Sequence, residues 1–184
     1  MSTDVNYDDK SHAYTVNGKP VPSVTQIISW YQGNKYAEVP ADVLQRAKDY
    51  GTGVHEAIEK YISTLEVDGY EDAVAQYAVL EEEHRIGITS TEQIVHYGER
   101  YAGRYDMLGE VDGNASVIDL KTTYRLDKEY LGLQLGLYRM ALQKPLKCFC
   151  VWLPKKGKAQ LVEIEPEPED KLKEILDAYE VAHR

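Results

Sequence analysis

The apolar positions of the chain fall into two periods. His12 to Val21 alternates as a small hairpin: Ala13-Tyr14-Thr15-Val16, then Asn17-Gly18, a dipeptide that accepts the positive φ angles of a two-residue turn. Pro22-Ser23-Val24-Thr25-Gln26 opens a short helix, because Ser23 can accept from the amide of Gln26 while the Gln26 side chain returns the bond. Trp30-Tyr31-Gln32-Gly33-Asn34 ends it. From Pro40 to about Leu65, Val43, Ala47, Tyr50, Val54, Ala57, Tyr61 and Leu65 recur at intervals of three and four, which predicts one long helix with a buried stripe. Gly51 and Gly53 lie inside it and are poor helix residues, so a bend, a break or the close approach of another backbone is expected there. Glu71 to Arg85 reads as a second helix, with Val74, Tyr77 and Leu80 inward, Glu81-Glu82-Glu83 on a solvated face, and Gly87 as its stop.

The period then shortens to two. Thr91 to Gly98, Tyr101 to Leu108 and Val117 to Lys121 read as strands, with Glu110 to Ala115, containing Asp112-Gly113, as the turn that pairs the last two. Asp127 can cap a helix running to about Gln143, in which Tyr130, Gln134 and Tyr138 share a face. Gly132 and Gly136 are also four apart, where close packing on the sheet would be allowed. Lys147 to Leu153 and Ala159 to Ile164 form a hairpin around Pro154-Lys155-Lys156-Gly157-Lys158, whose lysines suit a phosphate backbone and a solvated turn equally well. Pro166 to Ala182 closes as an amphipathic helix with Leu172, Ile175, Leu176 and Tyr179 inward and acids in its first turn, where the helix dipole favours them. Met1 to Ser11 is polar and is expected to be a flexible tail. With 184 residues, 43% of them hydrophobic, and no repeat, a single α/β domain over 1–184 with a substantial core is expected.

Composition changes this picture in three places. No apolar run approaches a membrane span and no export segment is seen, so a cytoplasmic protein is expected. Cys148 and Cys150 alternate with Phe149 and Val151 on one strand, where they read as small core residues in a reducing compartment; two thiols cannot supply the four ligands of an Fe–S cluster. The formal charge of −10 disfavours a nucleic-acid partner, but it is uneven. Glu66 to Glu83 carries seven acids and no Lys or Arg, and Glu163 to Arg184 carries eight acids against three bases, which leaves the remainder slightly positive.

The chemistry concentrates between Tyr101 and Thr123. Residues two apart on a strand share a face, so Asp119 and Lys121 project together, with Ile118 and Leu120 on the other side. Pairing with the preceding strand brings Asp106 near Asp119. Two carboxylates beside one ammonium are costly to assemble unless a cation holds them, and a hard divalent ion, Mg²⁺ or Mn²⁺, is the natural one. D-x-K alone is usually a solvated ion pair. Its company is more specific: Gly51-Thr52-Gly53-Val54-His55 and Gly103-Arg104-Tyr105-Asp106 precede it, and Gln134-Leu135-Gly136-Leu137-Tyr138 follows.

In this order the motifs resemble the RecB-like branch of the PD-(D/E)XK nucleases, over His55 to Tyr138 and more weakly at Val21-Pro22-Ser23-Val24-Thr25, a segment similar to phage-type and mitochondrial genome-maintenance exonucleases. Tyr105 stands where the superfamily has Pro before its first Asp; G-x-x-D without Pro is the usual RecB-like form. The resemblance implies a three-layer α/β/α, restriction-endonuclease-like fold with a central mixed sheet. It implies that His55, Asp106, Asp119 and the Leu120 carbonyl bind one or two Mg²⁺ or Mn²⁺ ions, and that Lys121 orients the attacking water or stabilises transition-state charge. Gln134 and Tyr138 would contact DNA or position Lys121, and Arg104 would contact substrate. Glu92, just before the G-x-x-D strand, is a secondary candidate that reads slightly better as an exposed strand glutamate. The activity implied is a metal-dependent DNA exonuclease leaving 5′-phosphates in phage or bacterial recombination, repair or processing. No G-x-x-x-x-G-K-[ST] is present, so no ATP-driven step is expected. The partners implied are DNA, a single-strand-annealing or other recombination protein, and further copies of the chain. For the exonuclease, the acidic helix from about Glu71 is expected to wall the site so that only a strand end enters. Two readings stay open beside it: a structure-specific endonuclease, and a non-catalytic DNA-binding subunit that keeps the fold.

Overall fold

The computed structural model describes residues 3–8, 11–33, 35 and 37–184. Its elements in chain order are β1 (Val5–Asp8), β2 (Ala13–Val16), β3 (Lys19–Val21), α1 (Val24–Gln32), α2 (Ala41–Thr64), α3 (Glu71–Glu83), β4 (Gly87–Tyr97), β5 (Tyr101–Val111), β6 (Asn114–Lys121), α4 (Lys128–Leu142), β7 (Lys147–Trp152), β8 (Gln160–Glu163) and α5 (Glu169–Ala182). Five strands form a mixed sheet in the order β4-β5-β6-β7-β8, in which only β6 and β7 run parallel. The parallel step requires a crossover, and α4 supplies it.

Alternation along the strands assigns the layers. On β7, Cys148 and Cys150 face a core shared with α1, α4 and α5, through Ile27, Ile28, Leu131, Leu135, Leu172 and Leu176. Phe149 and Val151 face the opposite core, with Val54 and Ile58 of α2 and Val74, Tyr77 and Leu80 of α3. Helices thus cover both faces of the sheet, the three-layer arrangement of restriction endonucleases. Both cysteines are buried free thiols, and burial pushes Cys148 up to about 11.

Local chemistry sets the boundaries. Ser23 caps α1 with both capping-box bonds formed. Asn17-Gly18 and Asp112-Gly113 each take the positive φ angles of a tight hairpin turn, so β5 and β6 extend closer together than the expected Glu110 to Ala115 turn. Asp127 caps α4 by accepting from the Tyr130 amide.

Several expectations fail for identifiable reasons. The segment before Ser11 is not a plain tail: Val5–Asp8 pairs antiparallel with Ala13–Val16, while Met1, Ser2, Asp9 and Lys10 lie outside the described residues, as does Asn34 beyond α1. The resulting three-stranded sheet packs Tyr14, Val16 and Val21 on Ala102 of β5, and the Ala102 amide donates to the Pro22 carbonyl at 3.1 Å. The predicted stripe of α2 is fully buried only between Val54 and Ile58; towards its two ends Val43 is 44% and Leu65 75% exposed. Gly51 and Gly53 do not break α2, which runs through them without interruption. They are close-approach sites for side chains: a Cβ on Gly53 would meet the Tyr70 ring, and one on Gly51 the Thr122 hydroxyl. Gly132 and Gly136 approach the Glu165 to Leu172 segment rather than the sheet. α3 ends at Glu83, and Gly87 is already the first residue of β4.

Candidate active site

β5 and β6 part company at the site. Their ladder runs from Val111 opposite Asn114 to Met107 opposite Ile118 and stops before Asp106 and Asp119. Beyond that point the Leu120 amide donates to Asp106 Oδ2 at 2.8 Å, so a carboxylate replaces the missing backbone acceptor. The face alternation breaks here as well. Tyr105 packs with α1, α4 and α5, whereas Met107 packs with α2 and α3, although residues two apart on a regular strand share a face. On β4, Glu92 lies between the ladder pairs Thr91–Met107 and Gln93–Tyr105, which sets it across from Asp106, and it holds a φ of 51°. For a non-glycine residue this left-handed backbone costs about 1–3 kcal/mol and is typical of functional sites.

The third component comes from α2. Its Val54, Ala57 and Ile58 are buried on the sheet, and His55 beside them reaches over the end of β6. His55 Nε2 lies 3.0 Å from the Leu120 carbonyl oxygen. That oxygen can only accept, so Nε2 carries the proton in the neutral ring and Nδ1 is left with a lone pair, 3.7 Å from Asp106 Oδ2. A lone pair facing a carboxylate oxygen is the arrangement that a cation resolves. Among the described residues, His55, Glu92 and Asp106 offer ligand atoms that all lie within 4.8 Å of one another. This N,O,O donor set fits a divalent ion of the Mg²⁺ or Mn²⁺ kind.

Asp119 stands outside that triad. It is 1% exposed, and neither carboxylate oxygen receives a hydrogen bond of proper geometry, though Lys121 Nζ is 2.6 Å from Oδ2. Burial raises its pKa to about 6, with Asp106 adding to the rise and Lys121 opposing it. For Lys121, burial works against the ammonium, but Asp119 and then Asp106 outweigh it and hold its pKa above the ordinary lysine value. In the metal-free protein Lys121 is therefore a charged group, suited to orienting water or meeting phosphate charge. Burial, and then Asp106, also raise the Glu92 carboxyl.

The other expected residues surround this centre. Gln134 Oε1 accepts from Lys121 Nζ at 3.3 Å, and the Gln134 amide donates to the Tyr138 hydroxyl at 3.4 Å, so α4 steadies the lysine from one side. Arg104 pairs with Glu92 at 2.8 Å and lies 5.4 Å from the centroid of the Tyr7 ring. The Leu120 carbonyl accepts from His55, which occupies one of its two lone pairs.

These groups open onto a cleft of about 1070 Å³. Lys48, Thr52, His55 and Glu59 of α2 form one wall, and Tyr7, His12 and Tyr14 of the N-terminal sheet contribute another. No residue of α3 lines it, so the expectation that the acidic helix walls the site is wrong. α3 is amphipathic, and burying Ala73, Val74, Tyr77 and Leu80 fixes it against the sheet. The alternation Val5-Asn6-Tyr7-Asp8 is the signal for the N-terminal strand, but four residues in a polar segment are too few to separate a strand from a tail. Glu92 was undervalued because period-two reading cannot foresee its positive φ.

A five-stranded mixed sheet between helical layers, with acids, a histidine and a lysine where two strands splay, defines a nuclease of the restriction-endonuclease-like fold. The sequence comparison agrees: the PD-(D/E)XK nuclease superfamily profile matches residues 71–182, and the chain belongs to that superfamily. The helix bearing His55 precedes the matched residues. Among solved structures, the one titled "Crystal structure of SSO0001" is similar in fold, with a TM-score of 0.53 and 17% identity over 88% of this chain and 75% of that one. No curated protein matches the chain. Members of the superfamily use divalent ions, and the triad can hold one. Among the described residues, no helix is long and apolar enough to cross a membrane.

Proposed function

We propose that this protein is a Mg²⁺- or Mn²⁺-dependent DNA exonuclease of the RecB-like kind. It hydrolyses phosphodiester bonds to leave 5′-phosphates, in the processing of phage or bacterial DNA during recombination or repair. The observation that carries the reading is the convergence of His55, Glu92 and Asp106 beside the buried Asp119–Lys121 pair at one cleft. His55, Glu92 and Asp106 would hold a divalent ion, which would supply Lewis acidity toward water and positive charge toward the scissile phosphate. The protein's own groups do the rest. Asp106 keeps the Leu120 amide satisfied where the ladder ends, Lys121 presents a fixed positive charge to the phosphate or its water, and Gln134 holds that ammonium in place. Asp119 supplies negative charge without competing hydrogen bonds.

Action on ends rests on the resemblance of the motif order, and of the Val21 to Thr25 segment, to end-processing nucleases; the cleft between α2 and the N-terminal sheet would receive the strand. The test is a time course on end-labelled linear DNA and on covalently closed circles, with Mg²⁺ and with EDTA. Loss of linear DNA only with the metal, and survival of circles, is the expected result. Circles, single-stranded and duplex, cut as fast as linear DNA would make the enzyme an endonuclease. Absence of any cleavage would leave a non-catalytic DNA-binding subunit.

A further inference from the structure

Many cations on this acidic protein are neutralised in pairs, among them Lys19 with Glu99, Lys60 with Asp68, Arg85 with Asp112 and Arg100 with Asp177 and Glu180. Lys48, Arg125, Lys128, Lys155, Lys156 and Lys158 are different. All are exposed, and none has a carboxylate at ion-pair distance among the described residues.

The topology gathers these six. Because β6 and β7 are parallel, the chain leaves both at the same end, where Lys121 is opposite Trp152. Arg125 and Lys128 follow β6, and Lys155, Lys156 and Lys158 follow β7. The two exits are tied together: the Leu153 amide donates to the Lys121 carbonyl at 2.8 Å, and Trp152 Nε1 donates to the Thr123 carbonyl at 2.7 Å. α2 closes the third side, since Gly51 abuts Thr122 and Lys155 Nζ stands 4.9 Å from the Tyr50 ring centroid. Lys48, less than one turn before Gly51, belongs to the cleft wall and joins the rim to the site. Tyr124, 80% exposed, sits on the same rim. Helix stability does not account for Lys128, which occupies the first turn of α4, where the dipole disfavours a cation.

Unpaired like charges repel, and apart from Lys155 over the Tyr50 ring the described contacts give the fold no return for collecting them. We propose that this rim is a track for the nucleic-acid strand flanking the scissile phosphate: the lysines and Arg125 contact its backbone, and Tyr124 stacks on an unpaired base. The inference rests on the nuclease reading and extends it to a contact surface outside the cleft. Continuity with the cleft through Lys48 and the exposed aromatic favour a nucleic acid over an acidic protein.

The test measures binding of a fluorescent single-stranded oligonucleotide by anisotropy, in EDTA, at increasing salt. Lys156→Gln/Lys158→Gln and Arg125→Gln/Lys128→Gln should each weaken binding and reduce the slope of log K against log salt by about 1.4, at about 0.7 per phosphate contact on a single strand. Lys171→Gln/Lys173→Gln, which removes the same charge from α5, should leave the slope unchanged. Wild-type slopes in both rim variants, from a protein that cuts DNA with Mg²⁺, would overturn the track and spare the nuclease; binding of an acidic protein surface would then be the alternative. Reduced slopes in a protein that never cuts would keep the track and overturn the nuclease. A wild type that binds no DNA overturns both.

Discussion

Replacing Asp119 with asparagine keeps the shape of the side chain and removes its charge. In the metal-free protein that charge is buried, and its pKa is raised from 3.8 to about 6, burial being the largest cause. At 1.36 kcal/mol per unit, ionising the folded carboxyl costs about 3 kcal/mol more than ionising it in the unfolded chain. The folded state binds this proton more tightly, so the stability it confers is complete below about pH 4 and is lost as pH rises through about 6. The amide variant has no such loss. Its stability relative to wild type should therefore climb by up to about 3 kcal/mol between about pH 4 and about pH 7, worth roughly 6–12 °C in Tm for a chain of this size. The effect of Lys121 is already contained in this figure, because its charge opposes burial at Asp119; the pairing exists only where Asp119 is ionised, at the upper end of the window. The assay is urea or thermal unfolding of both proteins in EDTA across the window, with DNase activity measured in Mg²⁺. Activity should disappear while the fold remains. A stability difference that does not change with pH would refute the claim that the carboxylate is held at a cost awaiting a cation. Full DNase activity of the folded variant in EDTA would remove Asp119 and the metal from the mechanism together.

Three further outcomes are expected. Mn²⁺ at about a hundredfold over its Kd should stabilise the wild type by about 2.7 kcal/mol, and Glu92→Gln or His55→Ala should lose most of that shift in a thermal melt; an undiminished shift would place the ion elsewhere. Lys121→Ala should lose hydrolysis yet keep its Mn²⁺ isotherm in calorimetry, because the ammonium meets Asp119 and Gln134 and is not a ligand. Gly109→Ala should destabilise the fold by about 3 kcal/mol or more, because its Cβ would fall 2.0 Å from the rigid backbone carbonyl of Gly87 on the neighbouring strand; an unchanged melting curve would contradict that packing.

The sequence by itself determined the elements that have a local physical cause. Ser23 with Gln26, Asn17-Gly18, Asp112-Gly113 and Asp127 each carry their own backbone chemistry, and the inward residues of α3 and α5 declare a helical period, whereas α4 is buried on all sides from Leu131 to Tyr138 and is marked by its Asp127 cap. Period two on Val117 to Lys121 put Asp119 and Lys121 on one side, where Gln134 meets the lysine. The tertiary structure decided what depends on distant backbone. Where β5 and β6 separate, Asp106 takes a backbone amide, and the flip at Glu92 points a strand glutamate at His55, contacts 14 or more residues apart that no local pattern encodes. It also decided which helix covers and which walls. α3 has an apolar face that must be buried, so its acids end up away from the cleft, whereas the short β1 becomes a wall only because Ala102 and Pro22 anchor its sheet beside β5. The basic rim has the same origin: two loops some thirty residues apart become neighbours because the strands before them are parallel, and only a sheet register can bring that about.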